Sequence, residues 1–195
     1  MGNLINVFPA EVRDCGYPDL MAECFLNNLS DSIPSVRQGA ATSIAKVLQT
    51  AGDPALETRA TEPWERCDGA IRLIGELASL APRFVTDTLI DKMVSAAAIS
   101  HYPHYPYLLE TACRTIGFMC TGLDKAMFKR NLDSLLPVLA WAVSSGMPLA
   151  VSAAEDCLAT LSQKLGPNVL RSRVANHFEV TTVPRLLEVL PPIPY

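Results

Sequence analysis

A 195-residue chain that is 49% hydrophobic and 18% charged has enough apolar surface for a sizeable buried core, which excludes an intrinsically disordered protein. Its 16 basic and 20 acidic residues, a net charge of -4, are spread along the length and form no basic stripe, which disfavours nucleic acid or an anionic lipid surface as partner. No apolar run approaches the roughly 18 residues of a membrane span, since the best, Leu135 to Val143, is short and contains Pro137.

In chain order, Met1 to Gly16 is apolar at Leu4, Ile5, Val7, Phe8 and Val12 and reads as a lead-in segment (1–16). Gly2 invites a myristoylation reading, but Asn6 stands where that motif needs Ser or Thr. A first helix with Met21, Ala22, Phe25 and Leu26 on one face precedes a second, opened by Pro34, that carries Ala40, Ile44, Ala45 and Val47. In this second type a small residue, a large aliphatic four later and another small residue beside it shape one helical face for close packing. The template recurs at Ala70, Ile74, Gly75 and Leu77, at Ala112, Ile116, Gly117 and Met119, and at Ala154, Leu158, Ala159 and Leu161. Pro34, Pro106 and Pro148 each lie six residues before the anchoring alanine and Pro63 seven before. Proline suits the first turn of a helix, whose N–H groups have no helical partner.

The first helix type recurs at Met93, Val94, Ala97 and Ala98 and again at Leu135, Leu136, Leu139 and Ala140. Successive anchors are 30, 42 and 42 residues apart, and Ala51 to Ala60 has too little apolar content for a full helix, so the second repeat is abbreviated. Val174 and Phe178 fall 42 residues after Leu132 and Leu136, so a fifth first-type helix begins, which no second-type helix follows; the chain closes with Pro184, an apolar segment and PPIPY. Solenoids need capped terminal repeats. The expectation is therefore a piece of a longer array, or an end that docks on a partner.

A period near 42 with two helices per unit falls in the range of about 40–47 residues found for HEAT and armadillo arrays. LNNLSDSIPSVRQGAATSIAKVL, Leu26 to Leu48, resembles a HEAT repeat, with Asp31 ending the first helix and Arg37 six residues on. The resemblance implies that Asp31 and Arg37 form a structural brace between turns; the Arg position holds Cys67, Leu109 and Val151 in later repeats. It further implies an all-α, right-handed solenoid of about four antiparallel helix pairs over 17–190, with a proline-rich tail at 191–195. The function implied is a non-enzymatic scaffold or adaptor for protein partners. Other HEAT-like proteins resemble tubulin or nucleic-acid binders, and another branch resembles lyases or glycosylases. The acidic balance argues against the former, and the latter would need polar groups converging on the concave face.

Exposed residues of the second-type helices, Gln38, Arg72 and Arg114, are the first candidates for partner contact. Trp141 and the segment HYPHYPY, with Tyr102 and Tyr105, are outer candidates, because tyrosine supplies rigid amphipathic contact area. Rings that merely cover a helix connection are the plainer reading of that segment, and its two histidines alone make a poor metal site. Pro34, Pro106 and Pro148 are structural. Trp64, in the first turn of its helix, is expected under the preceding loop. Glu155 and Asp156 are helix neighbours that diverge by about 100° and cannot converge as an acid/base pair. Arg66, Arg171 and Arg173 add basic spots that nearby glutamates dilute.

Six cysteines occur without a C-x-x-C pair, so zinc fails on spacing, and with no secretory signal the expectation is reduced, buried thiols in the cytoplasm or nucleus. No phosphate loop, nucleophile elbow or metal cluster is present in the sequence, so no catalytic residue, cofactor or small-molecule substrate is expected.

Overall fold

The computed structural model describes residues 24–51, 64–100, 102–177 and 183–190, with side-chain environments at 24–46, 64–100, 102–177 and 186–190. The expected lead-in at 1–16, the tail at 191–195 and nearly all of the shortened stretch lie outside these residues, as do Pro63 and Phe178. The fold is all-α: no strand occurs among the described residues, and none of their helices is long and apolar enough to cross a membrane. The chain divides into two compact units, Met1–Ala96 and Ala97–Tyr195.

In the first unit, residues 24–28 are helical, then come α1 (Pro34–Ala51), α2 (Trp64–Leu80), a 3-10 turn (Pro82–Phe84) and α3 (Asp87–Ala97). α1 opens on its proline, and α1 packs on α2 through the faces that the repeat spacing assigns to them. Ala40, Ile44 and Ala45 on α1 and Ile74, Gly75 and Leu77 on α2 are buried, while Ala70 is half-buried. Gly69 marks a close crossing. A Cβ built there would run into the carbonyl oxygen of Leu29, so only glycine lets α2 lie this near the end of the helical segment at 24–28.

The second unit comprises α4 (Tyr105–Gly122), α5 (Lys125–Ser144), α6 (Pro148–Leu165), α7 (Pro167–His177) and α8 (Val183–Val189). Leu123 and Asp124 join α4 to α5, and the Asp124 carboxylate caps the new helix by accepting from the N–H groups of Ala126 at 3.2 Å and Met127 at 2.9 Å. Gly146, at φ 69°, turns the chain from α5 into α6, and Gly166, at φ 95°, turns it at once into Pro167 of α7. With such short connections, successive helices reverse direction and alternate helices run parallel. α4 and α6 do so: Cys113 and Cys157 interact midway along, and at the C-terminal ends the Lys164 ammonium donates to the Thr121 carbonyl at 3.4 Å.

The core of this unit is aliphatic and nearly free of buried charge. Leu135, Leu136, Val138 and Leu139 of α5 are at most 1% exposed, and burying each such side chain contributes about 1.5–3 kcal/mol. Pro137 lies inside α5 without ending it. The helix that carries Val174 is α7, which starts at Pro167, 42 residues after Lys125 opens α5, and Val174 is buried in it. The apolar segment after Pro184 folds as α8, whose Leu186 is buried, with Leu190 buried just beyond it. Arg171 on α7 donates to the carbonyls of Leu187 at 3.4 Å and Leu190 at 3.0 Å, which satisfies acceptors that a helix C-terminus leaves open.

Candidate protein-binding groove

The polar residues expected on the inner helices divide into two settings. In the first unit they are tied to one another. The Arg37 guanidinium donates to Asp68 Oδ2 at 2.8 Å and to the backbone carbonyls of Asp31 at 2.7 Å and Ser32 at 3.1 Å, and it stacks 4.9 Å from the Trp64 ring. Asp31 therefore meets Arg37 through its main chain, while its carboxylate accepts from the Ile33 N–H at 2.7 Å. Arg72 Nε donates to the same Asp68 oxygen at 2.8 Å and Arg72 Nη1 to Gln38 Oε1 at 3.1 Å; Gln38 in turn donates to Glu76 Oε1 at 2.9 Å. Gln38 and Arg72 thus serve as rungs between α1 and α2. Asp68 falls outside the repeat template, and its only sequence signal is its place one turn before Arg72.

In the second unit α4 and α6 pack closely, and an open surface groove of about 310 Å³ runs along their seam. Arg114, Gly117, Phe118 and Thr121 line one side, one helical turn after another, and Ala153, Asp156 and Thr160 the other. Cys113 and Cys157 form its floor. Gly117 is half-buried, and a Cβ built on it would have no atom within 4 Å, so the floor is open above the backbone. Phe118 keeps 48% of its surface exposed at this edge. Arg114 is held by Glu110 one turn earlier at 3.0 Å, leaving that rim nearly neutral.

Burial keeps the thiols at the groove floor un-ionised. Burial pushes the Cys113 thiol up to about 12, with the Glu110 carboxylate adding to the effect. Burial likewise holds Cys157 well above the ordinary thiol range, helped by the neighbouring Cys113, Cys120 and Asp156, and burial raises Cys120 despite the opposing charge of Lys164. At neutral pH these are protonated thiols, and the thiolate is the reactive form. No group of three or more His, Cys, Asp or Glu side chains among the described residues could hold a metal ion.

The outer candidates are less concentrated. Trp141 is half-buried on α5. Tyr102 is half-buried in the connection, whereas Tyr105 and Pro106 already belong to the first turn of α4; burial raises the Tyr105 phenol. Tyr107 is exposed and lies tilted against His104 with ring centres 6.1 Å apart. Trp64 packs beneath Arg37. A second surface recess of about 210 Å³, lined by Asp133, Arg173, Asn176 and His177, was not anticipated; Arg173 bridges to Asp133 at 2.7 Å there. No family model, curated protein or solved structure matches the chain.

Proposed function

We propose that the protein is a non-enzymatic scaffold or adaptor that binds protein partners on a HEAT-like solenoid surface. The observation that carries this reading is the parallel pairing of α4 and α6 across an intervening reversed helix, which leaves an open groove with an exposed aromatic ring at its edge. Parallel stacking of alternate helices is the arrangement on which helical-repeat solenoids build continuous binding surfaces. A groove between rigid helices meets its partner with little ordering cost, because its side chains are already fixed. Buried, protonated thiols and an ion-paired arginine suit recognition by shape better than reaction chemistry.

Affinity capture of the intact chain from cell extract, compared with an Arg114→Glu variant, tests the reading. Arg114 is the suitable position because it stands on the surface, whereas Arg72 is built into the α1–α2 rungs. A reproducible partner lost from the variant, with helical content unchanged, is the expected result. An identical set of captured proteins for both chains, or catalytic turnover that depends on the groove, would count against it.

A further inference from the structure

We infer that the α4–α6 groove receives an amphipathic helix of a partner protein, with an apolar side chain seated over Gly117 against Phe118 and a lysine or arginine on Asp156. The inference rests on the scaffold reading and adds the chemistry of the occupant.

Gly117 is the first reason. Glycine within a helix is less favourable than alanine, so a helical glycine beside a groove invites a packing explanation. At Gly69 the reason is visible, since Leu29 fills the space where a Cβ would go. At Gly117, as at Gly39 on α1, no neighbouring helix reaches that space, and at Gly117 it opens into the groove, which leaves room for a close approach from outside. Together with Ala153, Gly117 lowers both walls of the groove enough for a third helix to lie along them.

Phe118 supplies the apolar contact. It stands one residue beyond Gly117 with 48% of its surface in water, against a floor formed by two un-ionised thiols. The exposed ring and the open floor together fit one aliphatic or aromatic anchor, whose burial would also desolvate the ring.

Charge sets the third requirement. On the α4 rim Arg114 is already neutralised by Glu110. On the α6 rim Asp156 is exposed, and no salt bridge reaches its carboxylate among the described residues. The net charge of -4 of the whole chain acts in the same direction. A basic side chain is therefore the complement, and an acidic helix would be repelled.

The test selects displayed short peptides on the full-length chain and titrates synthetic copies of the binders by fluorescence anisotropy. The variants are Gly117→Leu, which fills the groove, Asp156→Lys, and Glu155→Lys as a surface control. Binders are expected to share an apolar anchor and a basic residue, and to weaken at least about tenfold with Gly117→Leu and with Asp156→Lys. Glu155→Lys is expected to change affinity less than about threefold, and exchanging the peptide's basic residue for glutamate should restore affinity for Asp156→Lys. Binders that ignore both groove variants would overturn this inference while leaving the scaffold reading standing. Selection of no peptide above an unrelated helical control would overturn both, and acidic binders would overturn the charge assignment.

Discussion

Arg37 Nε donates to Asp68 Oδ2 at 2.8 Å in a place where neither side chain is more than 2% exposed, and this pair joins α1 to α2. Two buried opposite charges stabilise little relative to an apolar pair of the same size, but either one left alone is costly, by about 3–5 kcal/mol. Asp68→Ala is therefore expected to lower unfolding free energy by that amount, because it strands Arg37 and deprives the more exposed Arg72 as well. Arg37→Met combined with Asp68→Leu should recover most of the loss. Urea unfolding of the full chain followed by circular dichroism provides the comparison, and a loss below about 1 kcal/mol for Asp68→Ala would show that water compensates the remaining charge.

Gly69 and Gly117, both within helices, give opposite expectations for one chemical change. Gly69→Ala forces a methyl group into the Leu29 carbonyl and must push the helices apart, which costs about 1–3 kcal/mol by the usual penalty of overpacking. Gly117→Ala adds a methyl group in open space and should stabilise the free protein by about 0.5–1 kcal/mol through helix propensity. Melting temperatures of the two variants should lie on opposite sides of the parent value.

The helical phase of this chain was legible in its sequence because a buried face repeats with a period that needs no knowledge of the partner helix. Ala112, Ile116 and Met119, and likewise Ala154, Leu158 and Leu161, are buried as their spacing requires, and Pro34, Pro106 and Pro148 all stand in first turns. What spacing could not supply is which residues of different helices meet. Asp68 meets Arg37 across 31 residues of chain, and the α4–α6 groove brings together residues of two helices that no single spacing pattern links. Arg114 was legible as an exposed residue of an inner helix, whereas Gly117 read as one more packing residue of the repeat. Gln38 and Arg72 have the same sequence signature as Arg114, and both arginines have a carboxylate one turn before them; the difference is that Asp68 is buried and shared with Arg37 of α1, whereas Glu110 is partly exposed and pairs with Arg114 within one helix.

Asp124 should make part of the stability depend on acid. The N–H groups of Met127 and Ala126 hold its carboxyl below the usual carboxylate range, with Arg130 adding a smaller effect in the same direction. A folded-state value below the unfolded one stabilises the protein above the unfolded pKa of about 3.9, and that contribution is lost as pH falls through the folded value. Asp124→Asn keeps an acceptor at the cap but cannot titrate. The stability difference between parent and variant should therefore be flat above about pH 5 and shrink below about pH 4. A difference that stays constant down to the acid transition would mean that the cap contributes equally in both ionisation states.

The thiols of the groove floor supply a test at the opposite end of the pH scale. Cys113 and Cys157 are held un-ionised by burial, so their folded-state values lie above that of an unfolded cysteine, about 8.5. The sign follows: their contribution is complete below the unfolded value and is lost as pH rises from there toward about 12, where Cys113 itself ionises. In the native protein at pH 8, iodoacetamide should modify exposed Cys24 well before Cys67, Cys113, Cys120 or Cys157, all of which are buried. Mass mapping of labelled peptides distinguishes the sites, and urea should abolish the difference. A groove-bound peptide should slow the residual labelling of Cys113 and Cys157 further while leaving Cys67 in the other unit unchanged. Equal protection of Cys67 would instead indicate a general stabilisation of the fold.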